Sequence, residues 1–318
     1  MNHLNEIKSK ALQLGFDLVG ITDASPIDSQ HIELLSDWLN CGYAGRMDFM
    51  HQNFKMRIDP TRLLQNAQSV ICLALNYRPA KPYPPSASSK STFGVITDYA
   101  RYEDYHPFMK KKLHELALFI SSLTGAGFKF KICVDSSPLA ERALAARAGL
   151  GFIGKNHMLI NPKLGPQILL GEIVTSLKLL TDEPIEANCA NCNKCLTACP
   201  TGALRPDGYF DTNKCISYLT IEYKGEIPAN LARKISNCLF GCDECVHACP
   251  YYQKAPPCQN SSFKFYPGRA QLDLHQLLSM SQADFDTKFA DSPLMRVGLE
   301  RLKRNAQICL SNIPDCPL

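Results

Sequence analysis

The cysteines between Cys189 and Cys249 stand at spacings that bind iron rather than cross-link the chain. Cys189, Cys192, Cys195 and Cys199 lie in C-A-N-C-N-K-C-L-T-A-C-P, the C-x2-C-x2-C-x3-C-P run that holds a 4Fe-4S cluster in bacterial ferredoxins. The second half of that run returns as G-C-D-E-C-V-H-A-C-P, with Cys242, Cys245 and Cys249 before Pro250. Two runs predict two clusters. The last cysteine of a run ligates the other cluster, so Cys189, Cys192, Cys195 and Cys249 are assigned to the first. Cys199, Cys242 and Cys245 belong to the second, and both Cys215 and Cys238 compete for its fourth place. Zinc would use paired C-x2-C elements without the extra x3-C-P, and a disulfide framework belongs to small secreted chains.

The elements that position these thiolates follow from pattern and composition. At 318 residues, with 45% hydrophobic and 20% charged side chains, the chain can bury a large core and form more than one domain. Fifteen cysteines at this length point to metal. The N-terminus has no apolar signal core and no run reaches transmembrane length, so a cytoplasmic protein is expected. A net charge of +4 permits a nucleic-acid partner without demanding one.

Leu4, Ile7, Ala11 and Leu14 have helical spacing, and the strand-like F-D-L-V-G-I follows Gly15. S-V-I-C-L-A-L, from Ser69 to Leu75, reads as a buried strand. Between them, Arg57 and Arg62 flank Asp59-Pro60, read from spacing alone as solvated charge. Arg78 to Ser91 is rich in proline and serine and predicts an exposed loop, a possible lid. A helix through Lys110 to Leu123, a strand ending at Asp135, and a helix with Ser137 as N-cap and Pro138 at its first position come next. Strands at H-M-L-I and I-L-L-G-E-I-V-T complete an α/β (α+β) domain.

G-L-G-F-I-G at Gly149 matches a dinucleotide fingerprint but follows a helix instead of a strand, so Gly149 is expected to end that helix. Asp135, at a strand's C-terminal end, is either a ligand-facing acid or a helix cap. Pro256 to Pro267 reads as a linker. The tail reads as helices at Leu272–Leu278 and Val297–Leu310. Arg296, Arg301, Lys303 and Arg304 on the latter form a solvated face or contact phosphate. The expected domains are 1–180, a double-cluster ferredoxin-like domain at 181–258 and a helical tail at 259–318.

D-S-S-P-L-A-E-R-A-L-A-A-R-A-G-L-G-F-I-G-K-N (Asp135 to Asn156), L-G-E-I (Leu170 to Ile173), C-I-S-Y-L-T-I-E-Y-K-G-E-I-P (Cys215 to Pro228) and G-C-D-E-C (Gly241 to Cys245), with a weaker stretch from Ser292 to Ala306, resemble the epoxyqueuosine reductases, the QueG family. The resemblance implies reduction of the epoxide of epoxyqueuosine at the tRNA wobble position to queuosine. It also implies cobalamin fed by two 4Fe-4S clusters, and an external electron donor of the flavodoxin or ferredoxin type. The D-x-H-x-x-G signature of histidine-ligated cobalamin is absent, since Met109 stands where glycine would follow Asp104-Tyr105-His106. By the same resemblance Asp135 is the proton donor, and Cys215 completes the second cluster, leaving Cys238 a free thiol. Arg57, Asn156, Ser217 and Asp243 contact cobalamin, and Lys224 contacts tRNA. A monomer without membrane association is implied. Many family members continue with helical repeats, which this chain lacks. The alternatives are a reductive dehalogenase-like cobalamin enzyme and a two-cluster electron carrier.

Overall fold

The structure, a computed structural model, describes residues 2–80, 92–125 and 127–313. It divides into two compact units: Met1–Arg78 with Tyr105–Asn193 and Cys249–Ser262, and Pro79–Asp104 with Lys194–Ala248 and Phe263–Leu318. The proline- and serine-rich loop expected at Arg78–Ser91 falls mostly outside the described residues.

The first unit is built on four antiparallel strands in the order Leu18–Asp23, Ser69–Asn76, Ile168–Thr175, Phe130–Cys133. Every residue of Ser69–Asn76 is buried, which explains its unbroken apolar run. The helix Tyr105–Thr124 buries His106, Met109, Leu113, Leu116, Ala117 and Ile120 along one stripe. It packs against one sheet face, close enough that a Cβ at Gly171 would meet Leu113 at 2.9 Å and Met109 at 3.0 Å. The helix Glu141–Arg147 covers the opposite face, where Leu144, Ala145 and Ala148 join Val70, Cys72, Ala74, Cys133 and Val174 in one core.

That helix begins later than its sequence suggests. Ala140, not Ser137, precedes the first turn, and no side chain caps it. The strand exits through Asp135 at φ +54, in the left-handed region that most L-residues avoid. Ser136 to Leu139 then form turns before the helix can start. Gly149 ends the helix as expected, at φ +77, and the Leu150 N–H reaches back to the Ala145 carbonyl at 2.9 Å.

The second unit holds a three-stranded sheet with Phe93–Ile96 between Cys238–Phe240 and Gln271–Asp273. The tail helix Leu299–Ser311 is part of this core, burying Leu302, Ala306 and Cys309. Two of its basic residues, Arg301 and Arg304, are neither a solvated face nor free phosphate contacts. Arg304 donates to the carbonyls of Leu219, Tyr223 and Gly225 at 2.7–2.8 Å, and Arg301 to that of Ile221 at 2.7 Å. They satisfy the orphan carbonyls at the end of the helix Ile216–Ile221. The expected linker is also partly packed, because Phe263 is buried and stacks on Tyr102 at 4.6 Å.

Candidate active site and cluster ligands

Four thiols converge in the second unit. Cys199 ends the first cysteine run, Cys215 precedes the helix Ile216–Ile221, and Cys242 and Cys245 flank the start of the helix Glu244–His247. Burial pushes the Cys215 thiol up to about 11, with Cys242 and Cys199 adding to the shift. Burial raises Cys245 further, and the charges of Cys242, Cys215 and Cys199 act in the same direction. Sulfurs that disfavour one another's ionisation this way occupy one place. A cationic cluster that takes all four as thiolates relieves the repulsion. Cys199 is held below the usual thiol range, because N–H groups of Leu204, Thr201 and Ala203 and the Thr201 hydroxyl outweigh its burial. The donor set therefore fits an iron–sulfur cluster.

Cys238 lies in the strand Cys238–Phe240, buried, and its thiol hydrogen-bonds Cys242. Its tie is to Cys242, whereas Cys215 raises Cys245 and is itself raised by Cys242 and Cys199.

In the first unit Cys249 feels the charges of Cys189 and Cys192, after the larger effect of its own burial. Lys155 fastens that loop. Its ammonium donates to the Ala190 carbonyl at 3.1 Å and to Asn193 Oδ1 at 2.8 Å, and its backbone N–H points at the Cys189 sulfur at 3.4 Å. Cys195, on the helix Lys194–Ala198, belongs to the second unit.

The acidic centre lies where strand Phe130–Cys133 leaves the sheet of the first unit. Asp135 has a side chain that is 59% exposed, open to a ligand rather than buried as a cap. Its carboxylate Oδ2 lies 3.1 Å from Nε2 of His106, which is buried on the long helix. Its backbone N–H donates to Glu141 Oε1 at 2.6 Å. Burial, with the charge of Asp135 next, pushes the Glu141 carboxyl up to about 7. Glu172 is fully buried on Ile168–Thr175, flanked in register by Cys72 and Cys133, and its carboxyl is raised well above the usual range by burial and by Glu141.

Sequence reasoning weighed His106 only as a cobalt-ligand signature and passed over both glutamates. Glu172 carried a signal: an acid in the middle of a wholly apolar strand is rarely buried without a partner.

Arg57 does not behave as solvated charge. It is half-buried near the charges of Glu141 and Asp135, and burial lowers its pKa. Its Nε has no hydrogen-bond partner among the described residues. Arg62, by contrast, is exposed and pairs with Asp59 at 3.2 Å. Asn156 is buried, and its Oδ1 accepts from the Met158 N–H at 3.2 Å. Nearby, burial and then Arg142 lower His157 to about 4, so its imidazole is neutral at physiological pH.

In the second unit Ser217 is half-buried in the first turn of Ile216–Ile221, and Lys224 is exposed in the turn beyond it. Asp243 has a structural commitment: its Oδ2 accepts the Asp98 N–H at 2.7 Å, and Asp98 in turn meets His247 at 2.9 Å and Arg101 at 2.9 Å. No described helix is long and apolar enough to cross a membrane.

Residues 57–136 match the family model described as epoxyqueuosine reductase QueG, DUF1730, and residues 188–252 match a 4Fe-4S double cluster binding domain. Vibrio cholerae epoxyqueuosine reductase is 37% identical over 98% of this chain and 84% of its own length. A crystal structure of epoxyqueuosine reductase with an epoxyqueuosine-modified tRNA-Tyr stem loop matches with a TM-score of 0.90 at 32% identity, covering 98% of this chain and 81% of that one. A Bacillus subtilis epoxyqueuosine reductase, captured with its catalytic aspartate loop swung out of the active site, matches with a TM-score of 0.89 at 32% identity, covering 98% and 82%.

Proposed function

The chain belongs to the epoxyqueuosine reductase family, and from that premise we propose that it reduces epoxyqueuosine in tRNA to queuosine, with Asp135 as the proton donor. The observation that carries this reading is the Asp135 loop. A short acid is held at positive φ at a strand end, hydrogen-bonded to a buried histidine, on a chain with cysteine runs for two clusters. Strained backbone of this kind persists where surrounding contacts over-determine it, as at functional sites.

The net reaction removes one oxygen. The epoxide takes up two electrons and two protons, and the products are the cyclopentene and water. Two 4Fe-4S clusters suit an electron supply that arrives singly from an outside donor of the flavodoxin or ferredoxin type. Cys189, Cys192, Cys195 and Cys249 are the ligands proposed for one cluster, and Cys199, Cys215, Cys242 and Cys245 for the other.

Cobalamin, when bound, supplies a low-valent cobalt that can deliver those electrons to carbon. Arg57 fits such a ligand, since a half-buried guanidinium with an unpartnered Nε suits its polar periphery. Asn156, Ser217 and Asp243 are the further contacts proposed, Asp243 with only the part of its carboxylate that Asp98 leaves.

Asp135 then protonates the oxygen as its bond to carbon breaks, so that no free alkoxide accumulates. His106 fixes the direction of that carboxyl through Nε2, and the hydrogen bond between them can hold the proton on either group. Lys224, exposed beyond the helix Ile216–Ile221, is the proposed contact to tRNA phosphate.

The direct test is anaerobic incubation of cluster-loaded protein, cobalamin and a chemical reductant with an epoxyqueuosine-containing stem loop, read by mass spectrometry of the nucleosides. Queuosine formed only when cobalamin is present supports the proposal. Loaded protein that leaves the epoxide intact with cobalamin bound contradicts it.

A further inference from the structure

We propose that half-buried Glu141 and fully buried Glu172 share one proton as a carboxyl pair, and that this pair is the positioning device for the loop carrying Asp135. The inference deepens the reading above and rests on Asp135 being the acid. Neither oxygen of Glu172 meets an N–H or hydroxyl donor among the described residues. The side chain against it is the Glu141 carboxyl, and since two carboxyls hydrogen-bond only when one of them carries a proton, the unpartnered oxygens of Glu172 find a partner there only through a shared proton. A fully buried carboxylate with no cation against it is far more costly than its neutral form, so the proton belongs to the pair.

The other groups facing the pair leave this balance in place. Glu141 faces Arg57 from the helix Phe54–Ile58, Arg142 on its own helix, and Asp135. Glu172 faces the thiols of Cys72 and Cys133, both kept neutral because burial raises them, Cys133 to about 12. One shared negative charge can be matched by the arginines. A second, beside Asp135, would repel the loop.

The geometry turns this charge state into position. Glu141 Oε1 accepts the Asp135 N–H at 2.6 Å, and that bond holds the residue in its left-handed conformation. Glu172 is thereby a positioning residue at one remove, because its proton fixes where the Glu141 carboxyl sits. Burial and the charge of Asp135 raise Glu141 to about 7 while Glu172 is raised well above the usual carboxyl range, so the pair gives up its first proton near neutrality and keeps the shared one above it.

The test uses the holoenzyme and two readouts. Infrared difference spectra of wild type minus Glu172→Gln, recorded in water and in heavy water at about pH 6, are expected to show a protonated carboxylic acid band that the variant lacks. In Glu172→Gln the amide donates to Glu141 at every pH, so the alkaline limb of turnover should move up by about one pH unit or more. Should that variant fold poorly, Glu141→Gln retains a protonated Glu172, and the band should persist to higher pH than in wild type. Superimposable spectra, or an alkaline limb that does not move, would overturn the proposal. The band is read on resting protein. If it is present while Asp135→Asn remains fully active, the acid reading and the positioning role fall and the shared proton alone stands.

Discussion

Nε2 of His106 lies 3.1 Å from Oδ2 of Asp135, joining a buried residue of the long helix to an exposed acid on a strained loop. The contact gives a freely rotating carboxyl one preferred direction. Replacing His106 with alanine is expected to lower turnover roughly 10- to 100-fold, a fraction of what a general acid supplies, while iron content and the cobalamin spectrum stay as in wild type. Steady-state rates on a modified stem loop, together with both spectra, check this.

The cluster assignment makes an opposed pair of outcomes. Cys215→Ser should lose one cluster, leaving about four irons per chain of an expected eight or so, by two cubes of four. Cys238→Ser should keep both. Iron and sulfide analysis of anaerobically purified protein distinguishes them, and the reverse pattern would put Cys238 in the cluster.

Stability should depend on pH through the carboxyl pair. The ordinary glutamate value is 4.5 and Glu141 is raised to about 7, so between these values the folded chain binds more protons than the unfolded one. Stability contributed by the pair is therefore greatest at the acidic end and falls as pH rises, at up to about 1.4 kcal/mol per pH unit for one proton. Urea midpoints across this window should show that slope in wild type, and Glu172→Gln should flatten it.

Arg304 and Lys224 separate a structural cation from a ligand-facing one. Arg304→Ala leaves the carbonyls of Leu219, Tyr223 and Gly225 without their donor and should cost about 2 kcal/mol. The salt dependence of tRNA binding should not change. Lys224→Ala should leave the unfolding midpoint unchanged and reduce the salt slope of tRNA binding by about one.

The cluster runs were legible because chemistry fixes their spacing: neither cysteine separation nor the trailing proline depends on distant packing. The apolar strands and the helix stop at Gly149 were legible for the same local reason. What could not be read is tertiary. Ser137-Pro138 is a good helix start by local rules, yet the left-handed Asp135 and the turns after it delay the helix to Glu141. Arg301 and Arg304 looked like a basic face because nothing local reveals that the end of another helix lies opposite. Arg57 was hidden in the same way, since the charges it faces, Asp135 and Glu141, stand more than seventy positions away. Glu141 and Glu172 were overlooked because one opens a helix and the other sits in an apolar strand some thirty residues on, and only the packing of that helix on the sheet brings the two carboxyls together.

The central claim is that Asp135 supplies the proton when the epoxide oxygen leaves. Multiple-turnover conversion of an epoxyqueuosine stem loop, comparing wild type with Asp135→Asn at equal iron and cobalamin content, tests it most directly. The expected result is queuosine from wild type and a rate lower by about 10²- to 10⁴-fold in the variant. Equal rates with equal cofactor loading would contradict it.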